Sequence, residues 1–133
     1  MLNKEDIEVF LDRLGAEETS YKEVEPGLWV VKPGGALDFN VVVHFSPPVV
    51  VLRVRVMEPP AGGERRADLY RRLLELNARE LVHGSYGLEG DHVVLTDTLE
   101  LENLDFNEFQ ASYDSIMIAL ATHVGALAQY RER

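Results

Sequence analysis

Apolar residues fall at helical spacing near the start of the chain. Ile7, Phe10, Leu11 and Leu14 share one face of a helix over residues 3–14, with Asn3 as N-cap and Gly15 as stop. The spacing then changes to alternation. TSYKEVEPGLWVVKP (19–33) predicts a β-hairpin turning at Pro26-Gly27, where glycine supplies the positive φ that the turn requires. FNVVVHF (39–45) and PVVVLRVRVM (48–57) predict a second hairpin around Ser46-Pro47. Pairing Val43 with Val50 sets Val41 opposite Leu52 and Phe39 opposite Val54, all on one face. The same register sets Asp38 opposite Arg55 and Asn40 opposite Arg53 on the other face, where opposite charge and polarity suit each other. That second face also carries Val42, Val49, Val51, Met57 and His44, so it is only half polar. Either a helix of the same chain covers it or a partner does.

After the breaker EPPAGGERR, helical spacing returns over residues 64–82, with Leu73, Leu74, Leu76, Leu81 and Val82 as the expected buried face. A third hairpin, GSYGLEGDHVVLT, turns at Glu89-Gly90-Asp91, and an odd-sum register puts Tyr86 and Leu88 on the face of Val93 and Leu95. The last helix starts from Asp105 as N-cap, with Glu108 completing a capping box and Leu104 stapled to Phe109. Phe109, Tyr113, Ile116, Leu120, Val124 and Leu127 follow at helical spacing. The element order is therefore α-β-β-β-β-α-β-β-α, an α+β fold with an antiparallel sheet and three helices, expected as a single domain over 1–133.

Composition narrows the function classes. Acidic residues outnumber basic ones by 23 to 13, for a formal charge of −10, which opposes binding to nucleic acid or to anionic lipid. The apolar stretches are too short or too interrupted to span a membrane, and the acidic start is unlike an export signal, so the cytoplasm is expected. No cysteine is present, which removes disulfides and thiolate metal sites. His44, His83, His92 and His123 lie on different elements without ligand spacing, so no metal or other cofactor is expected. GSYG (84–87) lacks the nucleophile-elbow spacing, and PGG and AGG lack a phosphate loop's lysine, so no catalytic residue is assigned. Asp97, Glu100, Glu102 and Asp105 form an acidic stretch that reads as a solvated rim rather than a paired-carboxylate site. Asn77 stands out among the leucines of the second helix. It either anchors a ligand or bonds to backbone where that helix meets the next hairpin, and the second reading is preferred because the loop's peptide groups need partners. Gly84 is read as ending the helix.

These residues also carry a family resemblance. Leu73-Leu74 to Asn77, the glycine-opened strand Gly84–Leu88, the acidic turn Glu89-Gly90-Asp91, the strand Val93–Leu95 and the linker Leu99–Asp105 occur here in one order. In that order they resemble the YbjN-domain family of bacterial sensory transduction regulators, and the wider group with the type III secretion chaperone-like fold. The resemblance covers about 60 residues of the second half, while the first half agrees in element order and departs by an additional hairpin strand and proline-bounded strands. It implies a non-enzymatic, protein-binding module of regulatory or chaperone-like type, a homodimer that takes a protein or peptide segment. Val42, Val49, Val51, Arg53 and Met57 are then the candidate partner-binding residues, and Asn77, Gly84 and Asp105 the structural ones. The alternative is a small-molecule sensor or enzyme with a pocket between the sheet and the C-terminal helix, near Trp29, Tyr86 and Tyr113.

Overall fold

The computed structural model describes residues 1–14, 19–35 and 38–131. Its elements are α1 (Lys4–Arg13), β1 (Ser20–Glu25), β2 (Leu28–Lys32), β3 (Val41–Ser46), β4 (Val49–Met57), α2 (Gly63–Arg79), β5 (Ser85–Glu89), β6 (His92–Glu100) and α3 (Phe106–Ala128). The expected α+β class and element order are what the chain adopts. Asn3 opens α1 with a reciprocal capping box, its side chain accepting from the Asp6 N–H while the Asp6 carboxylate accepts from the Asn3 N–H, each at 2.9 Å. Gly15, the expected stop of this helix, lies outside the described residues.

The six strands form one antiparallel sheet in the order β1-β2-β3-β4-β6-β5. The first hairpin turns at Pro26-Gly27, where Gly27 has φ +75°. Trp29, Val43, Leu52, Val54 and Leu95 point to one face, each 0% exposed, and there they meet Ile7 of α1, Leu69 of α2, and Phe109 and Ile116 of α3. All three helices therefore cover the same side of the sheet. Complete burial of each such side chain contributes roughly 1.5–3 kcal/mol, and this is why alternation along the strands is so strongly enforced.

The β3–β4 hairpin pairs two residues away from the expected register. Val43 lies opposite Leu52 rather than Val50, and Val41 opposite Val54. Both strands run up to the turn, so Ser46 pairs with Val49 and Pro47-Pro48 form the turn itself. Proline has no amide hydrogen to give to a ladder, and placing both prolines in the turn removes them from it. A shift of two conserves which face each side chain takes. It does not conserve the partners: Arg53 faces Val42, and the expected pairs Asp38–Arg55 and Asn40–Arg53 do not form.

The third hairpin has the expected register, Tyr86 opposite Leu95 and Leu88 opposite Val93. The helix before it is shorter than expected, ending at Arg79 rather than at residue 82. Leu73 and Leu76 are buried, but Leu74 is 67% and Val82 85% exposed. Leu74 lies off the buried face, and Val82 lies past the helix end, where helical spacing no longer aims it at the core. In α3 the side chain facing inward is His123, 4% exposed, while Val124 is 37% exposed. The next-door position wins because it is the one in phase with Ile116, Leu120 and Leu127.

A candidate partner-binding face

The strand register fixes the composition of the sheet's other face. One row runs Lys22, Val30, Val42, Arg53, Thr96 and Ser85 across all six strands. The next runs Glu25, Leu28, His44, Val51 and Thr98, and Val49 sits further along beside Ser46 and Glu100. Val42, Val49, Val51 and Arg53 thus share one surface, each partly exposed, with His44 and Arg55 more open. No helix among the described residues lies over it, since all three belong to the opposite core. Arg53 Nε is 3.2 Å from Glu89 Oε2 of β5, a charge contact not aligned as a hydrogen bond.

Met57 does not belong to this face. A β-bulge between Arg55 and Met57 breaks the alternation, so Met57 pairs with Val93 and joins the core at 7% exposure. A strict period of two placed it outside, and one extra residue turns it inward.

Asn77 makes the backbone contact that its position suggested. Its Nδ2 donates to the Tyr86 carbonyl at 3.0 Å, and its Oδ1 accepts from the Tyr86 N–H at 2.7 Å. β5 is an edge strand, so the outward N–H and C=O of Tyr86 have no further strand to bond. The carboxamide occupies that edge as a short stretch of strand would. Gly84 has another role than ending the helix, which closes five residues earlier. It turns the chain into β5 at φ +81°, where a Cβ would stand 2.8 Å from the Thr96 carbonyl oxygen. Asp105 caps α3 by accepting from the Glu108 N–H at 2.8 Å.

The acidic stretch before α3 is divided among separate tasks. Asp97 faces the helices and accepts from the buried Ser112 hydroxyl at 2.6 Å, while Asp105 is the cap. Asp97 thus ties β6 to α3 instead of belonging to a solvated rim. Among the described residues no three His, Asp or Glu side chains gather closely enough to hold a metal ion.

Trp29, Tyr86 and Tyr113, expected around a pocket, are themselves core residues at 0%, 5% and 6% exposure. The Tyr86 hydroxyl lies 2.8 Å from His123 Nδ1, and His123 Nε2 is 3.9 Å from Glu80 Oε1. Burial, with the nearby Glu80 charge, pushes the Tyr86 hydroxyl up to about 12, so it stays protonated and braces β5 against α3. Open spaces lie at the surface. One of about 160 Å³ is bordered by Glu80, Val82, Ser115 and His123, and another of about 320 Å³ lies between α2 and β5 beside Tyr70, Leu74, Asn77 and Leu88.

The sequence reading missed Lys22, Val30 and Lys32 as members of the outer face. SYKEVE and LWVVK alternate clearly enough to assign faces once Trp29 is taken as buried, and that was the available signal. His123 gave none, because histidine does not count in an apolar pattern.

The fold is shared with secretion chaperones and with YbjN. YbjN of E. coli superposes with a TM-score of 0.66 at 13% identity, over 94% of this chain and 93% of its own. One chain of the heterodimeric ExoU–SpcU complex from the type III secretion system of Pseudomonas aeruginosa gives 0.62 at 15% identity, over 82% of this chain and 87% of its own. The Yersinia pestis type III secretion chaperone SycH, solved with a stable fragment of YscM2, gives 0.55 at 18% identity, over 90% and 97%. A comparison with curated proteins returned no significant match. The CesT_Tir_1 family model matches residues 2–133, all but the first residue, and the chain belongs to this type III secretion chaperone family.

Proposed function

We propose that this protein is a non-enzymatic, chaperone-like or regulatory module that binds a segment of another protein on the open face of its sheet, as a homodimer in the cytoplasm. The observation that carries this reading is the outer face, over which no described helix lies and on which Val42, Val49 and Val51 are partly exposed beside Arg53. An aliphatic surface set between cationic side chains suits an extended polypeptide, which offers alternate side chains to such a face. The family supports it, as does the fold it shares with SycH bound to a fragment of YscM2 and with the HopA1–SchA chaperone–effector complex. No described helix is long and apolar enough to cross a membrane.

The test is an affinity capture from native cell extract with Val42→Asp and Val51→Asp as controls, combined with light scattering. The expected result is a protein captured by the wild type and lost with the variants, at unchanged melting temperature, and a dimer mass. A strict monomer that captures nothing would overturn the reading.

A further inference from the structure

The cations of the sheet are not scattered. Lys22, Lys32, Arg53 and Arg55 are all of its lysines and arginines, and register places every one of them on the outer face. They also share one end of it. Lys22 and Arg53 stand in one row with Val30 and Val42 between them, Lys32 is two residues from Val30, and Arg55 is two from Arg53. On this face Glu89 is already engaged with Arg53 and Glu25 stands one row on from Lys22, while Asp38, Glu58 and Asp91 sit in the flanking connections, Glu58 beside His92 at 3.3 Å. No ion pair joins Lys22, Lys32 or Arg55 to another described residue. A hollow of about 290 Å³ opens here, bordered by Lys22, Lys32, Val24 and Val30. A chain of net charge −10 thus leaves its unpaired sheet cations around a partly exposed aliphatic floor.

We infer that the outer face takes an acidic, aliphatic protein segment, its carboxylates held by Lys22, Lys32 and Arg55 and its apolar side chains resting on Val30 and Val42. This rests on the outer face being the binding surface and adds the chemistry of what binds. Three strand spacings separate Lys22 from Arg53, roughly 14 Å, which about four extended residues span. A short segment meets only this patch. An anionic membrane or a nucleic acid extends beyond it and meets the rest of a strongly acidic surface, within reach of a Debye length of about 10 Å at about 0.1 M salt.

The test is selection from a random peptide display library on the wild type, on Lys22→Glu/Lys32→Glu/Arg55→Glu, and on Val42→Asp. Wild type is expected to enrich Asp and Glu alternating with aliphatic residues. The selected peptide should bind the charge-reversed variant about tenfold more weakly or worse, and should weaken on the wild type as salt is raised toward 1 M. If the triple variant unfolds, Lys22→Glu alone and the salt series decide. Aliphatic peptides without acidic bias, lost with Val42→Asp, overturn this inference and leave the outer face as the binding surface. Enrichment that is indifferent to Val42→Asp and to the charge reversals, or no enrichment, overturns both. Binding to phosphatidylserine vesicles with no acidic peptide selected overturns it in favour of a lipid surface.

Discussion

Asn77 satisfies two peptide groups on an edge strand with one side chain, and both of its bonds go to Tyr86. Leucine at this position keeps the helix and removes both bonds, leaving a part-buried N–H and C=O without partners. Asn77→Leu is expected to cost about 2 kcal/mol, read as a lower denaturant midpoint at an unchanged slope, with partner capture retained wherever the variant is folded. An unchanged midpoint would show that water replaces the amide without penalty. Gly84→Ala acts through sterics. The required φ of +81° already disfavours a side chain, and the new methyl would press on a backbone carbonyl of β6, which cannot swing aside as a side chain can. A loss of about 2 kcal/mol or more is expected in the same measurement. Asn77 was legible as a polar intrusion among leucines. Its partner was not, because which carbonyl and amide it meets depends on the packing of α2 beside β5.

Elements are joined here by a few polar contacts at their ends. Glu23 of β1 accepts from the Gly27 N–H at 2.9 Å and from Lys4 of α1 at 3.1 Å, so one carboxylate secures both the first turn and the first helix. The Gly27 N–H first, and then Lys4, hold its carboxyl below the usual carboxylate range. A depressed pKa means that the folded state favours the ionised form. Its contribution is therefore present above the ordinary carboxylate pKa and is lost as pH falls through the lowered one. Glu23→Gln should melt below the wild type at neutral pH, and the gap should close as the solution is acidified into and below the carboxylate range. A gap independent of pH would assign the effect to shape rather than charge. At this scale, local patterns located the hairpins and the helix starts reliably, since turns and caps are made by adjacent residues. They misplaced the end of α2, the β3–β4 register and Met57. Each of these depends on a long-range choice: where the helix leaves the core, which residues the turn excludes from the ladder, and where β4 bulges in its pairing with β6.

For the molecule as a whole, alkaline pH tests how tightly the helices are held to the sheet. Tyr86 and Tyr113 are pushed up to about 12 chiefly by burial, and Tyr21 to about 12 chiefly by its hydrogen bond to Asp12. Raised values mean that the fold favours the protonated hydroxyls. Their contribution is complete below the ordinary tyrosine value near 10 and is lost as pH rises from there through about 12. In a Tyr70→Phe/Tyr130→Phe background, which leaves Tyr21, Tyr86 and Tyr113, unfolding and tyrosinate absorbance should therefore rise together in that window, and tyrosinate appearing well before unfolding would contradict the packing described here. The amino-acid sequence by itself determined the element order, the antiparallel class, the inward face of the central strands and the N-caps Asn3 and Asp105, because each follows from periodicity or from residues close in the chain, while the order of its motifs carried the family resemblance. Only the tertiary structure decided that all three described helices cover one side, that none of them covers the other, and that Lys22 and Lys32 gather there with Arg53 and Arg55. Strand order is set by how the whole chain closes its core, and a face is open or covered only in relation to every other element.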